Sequence, residues 1–295
     1  MSNRYDSHTL FRVDNLVAVI TGGGSGIGRI IAHALVANGA KRVYILGRRE
    51  ASLETTKSTS SHPENITPVV CDVTSKESLR AAADKVRQDC GYCDVVFANS
   101  GVSTADASQY LGRQEIDIKA LQEGLWQHSM EHFTQSFHVN VTGVFYTTVA
   151  FLDLLDEGNK RDAVPQKSQV VVVTSMGGFS RRPKASFAYG PSKAAAGHLA
   201  KQLATRLAPY KIRVNNLAPG FYPSEMTENI AFMKETDEPR REGSLANSFV
   251  PLERVGSEED MAGAVLFLAS RAGSYVDGNV LLTDGGRASI VPCTY

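Results

Sequence analysis

An excess of charge of either sign is what this sequence most clearly lacks. Its 31 basic residues are matched by 31 acidic ones, so the formal net charge is zero. A balanced chain offers no electrostatic case for nucleic acid or an anionic membrane as a partner. Cysteine is scarce too: Cys71, Cys90, Cys93 and Cys293 in 295 residues do not make a disulfide framework. No apolar run approaches the ~20 residues that a membrane span requires. The opening MSNRYDSHTLFRVDN has none of the apolar core of a signal peptide. The expectation is a soluble, cytoplasmic protein that binds neither nucleic acid nor membrane.

Metal-binding patterns are equally thin. Cys90-Gly91-Tyr92-Cys93 is a lone CxxC without a second ligand pair or a thioredoxin-like setting. His128 and His132 have the spacing of one helical face, with His138 a little further on. HSMEH is nonetheless not the H-E-x-x-H arrangement, and no metal is expected.

What is present is alternation. With 42% hydrophobic and 21% charged residues the chain can bury a full core. Short β-branched runs read as buried strands at Leu16–Ile20, Arg42–Gly47, Thr67–Asp72, Asp94–Asn99, Gln169–Ser175, Ile212–Leu217 and Asn279–Thr283. Helical patterns lie between them, near 26–39, 75–90, 126–156, 188–209 and 257–270. This order predicts one α/β domain: a doubly wound parallel sheet of about seven strands with helices on both faces, a Rossmann fold. Three irregular segments, 103–124, 157–168 and 221–250, fall beside strand ends, where open α/β sheets bind ligands. They are candidate cleft walls, and 221–245 is a candidate substrate lid.

The first strand runs into Thr21 and the glycine turn GGGSGIG, which opens a helix. Gly22, Gly26 and Gly28, with Ser25 and Ile27 between them, sit where a dinucleotide's pyrophosphate would lie against a helix N-terminus. A Cβ there would block backbone approach to the phosphates. The second strand ends in Gly47-Arg48-Arg49, where NAD enzymes usually place an acidic residue for the ribose hydroxyls. Two planar guanidinium groups suit a 2′-phosphate instead, which points to NADP. Asp72 and Val73, ending the third strand, are expected beside the adenine. Asn99, Ser100 and Gly101, ending the fourth, are expected near its ribose and the pyrophosphate.

The stretch Tyr189-Gly190-Pro191-Ser192-Lys193 places a phenol and an ammonium one helical turn apart on the same face. An ordinary tyrosine titrates near ~10 and is a poor acid or base at neutral pH. A cation about 4 Å away, at an effective dielectric of about 20, would favour the phenolate by roughly 4 kcal/mol and bring Tyr189 toward the working pH.

Together these residues resemble the short-chain dehydrogenase/reductase family, from about Leu16 to Gly286. TGGGSGIG is similar to its TGxxxGxG turn, and Asn99-Ser100-Gly101 to its NAG motif. Asn140 in FHVNVTGVF, Ser175 in VVVTSMGG, Tyr189 and Lys193 match the Asn-Ser-Tyr-Lys tetrad, and Pro219-Gly220 with Ser224 matches the PG turn and its following hydroxyl. LAPGFYPSEMT resembles members that include 3-oxoacyl reductases. The chain departs from many members in the fourteen-residue step from Ser175 to Tyr189 and in a long stretch from Gly101 to Asn140.

The resemblance implies roles. Tyr189 exchanges a proton with the substrate oxygen and Ser175 hydrogen-bonds it. Lys193 tunes Tyr189 and holds the nicotinamide ribose, and Asn140 anchors a water linking Lys193 to solvent. Pro219, Gly220 and Ser224 would contact the cofactor. The implied activity is NADP(H)-dependent hydride transfer between a ketone and a secondary alcohol, with an apolar or secondary-metabolite substrate. A dehydratase, isomerase or cyclase keeping the cofactor as scaffold is the alternative; a regulatory protein without turnover would not need the tetrad. The resemblance also implies a homodimer or homotetramer pairing through the helices near 126–156 and 188–209. Ala194, Ala195, Ala196, Gly197 and Ala200 provide a small-residue surface there.

Overall fold

The strands sort their side chains to two sides, and that builds the molecule. The computed structural model describes residues 5–111, 115–183, 186–227, 233 and 236–295. The strands are β1 (Val17–Thr21), β2 (Arg42–Gly47), β3 (Ile66–Val70), β4 (Val95–Ala98), β5 (Gln169–Val173), β6 (Arg213–Pro219) and β7 (Val280–Thr283). They form one parallel sheet in the order β3-β2-β1-β4-β5-β6-β7. Along β1, Ala18 and Ile20 enter one core while Val17 and Val19 enter the other. The same alternation splits Val43 and Ile45 from Tyr44 and Leu46, and Val171 and Val173 from Val170 and Val172. A strand buried on both faces must be apolar throughout, which is why these segments read as continuous runs.

Helices cover both faces. Among the described residues these are α1 (Ser7–Phe11), α2 (Gly26–Ala37), α3 (Glu50–Ser58), α4 (Lys76–Asp89), α5 (Ser108–Leu111), α6 (Ile118–Trp126), α7 (Met130–Phe137), α8 (Gly143–Ala150), α9 (Leu152–Arg161), α10 (Tyr189–Leu207) and α11 (Glu258–Ala269). α2 and α11 pack on the first face; α4, α8, α9 and α10 pack on the second. Each large apolar side chain buried this way contributes roughly 1.5–3 kcal/mol. α11 starts from a capping box, in which Ser257 Oγ accepts from the Asp260 N–H and Asp260 accepts from the Ser257 N–H. No single helix among the described residues is long and apolar enough to cross a membrane.

Two expectations need correction. The 126–156 pattern is not one helix. Ser129 starts α7 by accepting from the His132 N–H, a π-turn interrupts at His138–Thr142, and Phe151 separates α8 from α9. Apolar spacing averages over such breaks, because one extra residue in a turn barely disturbs it. The 103–124 segment, expected to be irregular, contains α5 and most of α6, the latter capped by Asp117.

Strand order reverses direction between β1 and β4. The crevice that this creates opens at their C-terminal ends, beside Thr21 and Asn99.

Candidate active site

The glycine turn forms one wall of that crevice. Gly22 and Gly26 have φ of +67° and +50°, and a Cβ on Gly28 would stand 2.1 Å from the Gly22 carbonyl oxygen. Only glycine fits that last position. Asn99 Nδ2 donates to the carbonyls of Thr21 and Gly22 at 2.9 and 3.3 Å, so it braces the turn. Thr21 Oγ1 in return accepts from the N–H groups of Asn99 and Ser100. Ser25 opens α2 without a side-chain cap, which leaves a bare helix start suited to phosphate oxygens. The half-buried Ile27 side chain packs against the first core. These residues fit a nicotinamide dinucleotide.

The remaining cofactor candidates border the same opening. Arg48 and Arg49 are exposed at the end of β2. Asp72 accepts from the N–H and hydroxyl of Thr74, which hold its carboxyl below the usual range, with Arg48 and His138 adding to the effect. Val73 packs against Gly143 of α8. Gly220 donates its N–H to Thr283, and a Cβ on it would lie 2.7 Å from the Asp284 Cα, so its first duty is to let β6 and β7 approach. Pro219 ends β6, and Ser224 reaches back across the crevice to lie against Gly26.

On the other side stand the tetrad residues. Ser175 follows β5, and its Oγ accepts from the Gly177 N–H at 3.0 Å. Tyr189 and Lys193 share one face of α10, and Gly177 packs against the phenol ring. Lys193 is buried; Nζ donates to the Val173 carbonyl at 2.9 Å and lies 6.0 Å from the Tyr189 ring centre. Gly101 leaves room for it, since a Cβ there would be 3.1 Å from Nζ and 3.3 Å from Asn140 Oδ1. Asn140 sits on the π-turn, fully buried, donating to the Val102 carbonyl and to Ser192 Oγ.

The electrostatics differ from the expectation drawn from spacing. Burial pushes the Tyr189 phenol up, with a hydrogen bond from Ser175 opposing it. Burial also pushes Lys193 down, to about 8. The Lys193 ammonium donates to the Val173 carbonyl, with its nitrogen 6.0 Å from the Tyr189 ring centre. Ser175 is thus the neighbour that favours the Tyr189 phenolate.

Several contributors were not legible beforehand. Ser192 links Asn140 to α10 and lies within the quoted Tyr-to-Lys stretch, yet nothing in its type marks it. The Val173 carbonyl carries no side-chain signal at all. Glu225 pairs with Arg49 across 176 residues, a contact that no local pattern announces. The residues just before Cys293 and after it fold onto the loop beyond Ser175, with Arg181 and Phe179 bonded to Pro292 and Thr294.

Ser186 donates to the Thr104 carbonyl at 2.6 Å, tying the segment before Tyr189 to the one after β4. A cavity of about 280 Å³ is lined by Ala105, Leu125, Met130, Phe133 and Phe187. A second, of about 330 Å³, lies between the segment after β6 and the end of β7. Neither is lined by Ser175, Tyr189 or Lys193. Within the candidate lid, Tyr222 is buried in the first core, while Phe221 and Met233 pack on a small cluster of Leu245, Val250 and Val255. Phe221 and Phe249 stack with ring centres 5.5 Å apart, and the Arg287 guanidinium lies 5.3 and 4.2 Å from those centres. Phe232 lies outside the described residues. Cys90 and Cys93 are free thiols, and burial raises the pKa of Cys93. His128 bonds the Asp106 carbonyl and stacks at a tilt on His132.

Known proteins resemble this chain along nearly its whole length. The family profile described as enoyl-(acyl carrier protein) reductase matches residues 22–288. The short-chain dehydrogenase/reductase PhomF of Diaporthe leptostromiformis is 43% identical, covering 97% of this chain and 96% of that one. A rhamnolipids biosynthesis 3-oxoacyl-acyl-carrier-protein reductase of Pseudomonas aeruginosa is 31% identical over 95% of this chain and 98% of its own length. Among solved structures, the Pseudomonas aeruginosa RhlG/NADP active-site complex superposes with a TM-score of 0.78 at 30% identity, covering 95% of this chain and 98% of that one. The chain belongs to the short-chain dehydrogenase/reductase family of nicotinamide-dependent oxidoreductases.

Proposed function

We propose that this chain is an NADP-dependent reductase of ketones, or the corresponding secondary-alcohol dehydrogenase, acting in the cytoplasm on an apolar or secondary-metabolite substrate. The observation that carries the reading is the meeting of Ser175, Tyr189 and Lys193 beside a glycine turn that fits a dinucleotide. Exposed Arg48 and Arg49 at the end of β2, with no acidic residue in their place, favour the phosphorylated nucleotide. The solved relative with NADP bound supports the same choice.

The bound nicotinamide supplies or receives the hydride. Tyr189 gives a proton to the carbonyl oxygen in reduction and takes it back in oxidation. Ser175 Oγ accepts from Gly177, so its one hydroxyl hydrogen, directed at Tyr189 here, would turn to a substrate oxygen on which negative charge develops. Lys193, held near 8 by burial, can exchange its proton at the working pH. Asn140 keeps the π-turn and the β4 loop together, and we assign it the anchoring of a water toward Lys193.

Apolar lining near Phe187, two residues before Tyr189, supports a hydrophobic substrate, and the 221–245 segment is proposed to border it. We also propose self-association, as a dimer or tetramer, through α7, α8 and α10. Phe133, Phe145 and Val149 are exposed on the first two, whereas Ala196 and Ala200 already pack on the chain's own sheet. The test is oxidation of NADPH with a panel of cyclic, aromatic and acyl-thioester ketones, followed at the reduced-nicotinamide absorbance. Turnover with at least one class is expected; a fully inert panel would favour the scaffold alternative.

A further inference from the structure

Arg49 does not stand free at the mouth of the crevice. Its Nη2 lies 2.6 Å from Glu225 Oε2, and the partner comes from the segment after β6. Arg49 chiefly holds the Glu225 carboxyl below its usual range, and Ser25, at the start of α2, and Arg29 add smaller effects of the same sign. Neighbouring Ser224 lies against Gly26, and the turn is fastened by Thr227, whose Oγ1 accepts from the Ser224 N–H and donates to the Tyr222 carbonyl. Glu225 therefore rests on Ser25 and Arg49, two of the groups assigned above to cofactor phosphates. Carboxylate and phosphate oxygens compete for the same donors.

We propose that Glu225 sets cofactor specificity: its carboxylate occupies Arg49, and the 2′-phosphate of NADP must displace it. The inference rests on the NADP reading above. Both partners are more than half exposed, so the pair is weak enough to be exchanged. Glu225 then acts as a brake on the preference for NADP over NAD, because a carboxylate left beside a 2′-phosphate repels it, whereas the unphosphorylated ribose meets no such penalty.

The experiment is calorimetric titration of the full chain with 2′,5′-ADP and with 5′-AMP, using wild type, Glu225→Gln, Arg49→Ala and the double variant. Glu225→Gln should tighten 2′,5′-ADP about three- to tenfold while changing 5′-AMP less than about twofold. The gain should vanish when Arg49 is also Ala, and should shrink in high salt. If Arg49→Ala weakens 2′,5′-ADP but Glu225→Gln leaves it unchanged, or tightens both ligands alike, the proposal fails and the NADP reading stands. If the wild type binds 2′,5′-ADP no more tightly than 5′-AMP, the NADP reading fails and takes the proposal with it.

Discussion

Asn140 and Val102 exchange two hydrogen bonds, the Val102 N–H to Oδ1 and Nδ2 to the Val102 carbonyl, each at 2.9 Å. An amide side chain thereby completes a peptide group's pairing as a neighbouring strand would. It binds the loop after β4, which carries Gly101, to the π-turn between α7 and α8. Nδ2 also donates to Ser192 Oγ, which donates in turn to the Tyr189 carbonyl at 2.7 Å. The helix α10, the loop beside the glycine turn and the π-turn are therefore one hydrogen-bonded unit.

That unit predicts a penalty without direct loss of chemistry. Ser192→Ala leaves one Asn140 donor buried and unpartnered, which should destabilise the protein by about 1–3 kcal/mol. Denaturant unfolding checks the loss. A double-mutant cycle with Asn140→Ala should give strong coupling; additive losses would mean that the two side chains act separately.

Tyr189→Phe keeps the ring and removes the proton. Turnover should fall at least about 100-fold, the scale of general acid–base catalysis. NADPH binding should change little, because the phenol is proposed to act on the substrate oxygen. Near-normal turnover would show that another group is the acid.

Lys193 carries a stability prediction whose sign follows from its titration. Its folded pKa of about 8 lies below the ordinary 10.5. Below pH 8 both states hold the proton, and the folded state bears the whole cost of burying a cation. Between about 8 and 10.5 the unfolded chain holds more protons, so stability rises with pH through that window. The cost at neutral pH is on the order of 3 kcal/mol. Lys193→Met should therefore raise Tm at pH 7, by roughly 5 °C for a chain of this length. The gain should fade toward pH 10.5, while activity is lost at every pH. A Tm gain independent of pH would assign the effect to packing instead.

Cofactor choice should be reversible. Wild type is expected to prefer NADPH to NADH. Gly47→Asp with Arg48→Ala should invert that order, since a carboxylate repels the 2′-phosphate and accepts from ribose hydroxyls. A Cβ at Gly47 would meet Leu53 at 3.3 Å, a contact that the leucine tip can relieve. Dissociation constants for both nucleotides, before and after, check the prediction.

Sequence alone determined what depends on short-range pattern. β-branched runs broken by helical stretches specify a parallel sheet, because strands buried on both faces must be apolar throughout and their crossovers need helices. The glycine turn was legible because glycine's positive φ and missing Cβ are properties of the residue itself. The Tyr189–Lys193 face was legible because helical geometry is local. Tertiary structure decided the rest. Whether Lys193 points at the phenol or at the Val173 carbonyl depends on a strand twenty residues away. The π-turn that aims Asn140 at Val102 adds only one residue to a turn, too little to disturb the apolar spacing around it. Glu225 meets Arg49 only because the sheet brings the ends of β2 and β6 to one side of the molecule. Such contacts join residues far apart in the chain, and their energies are set by burial and direction, which no local spacing records.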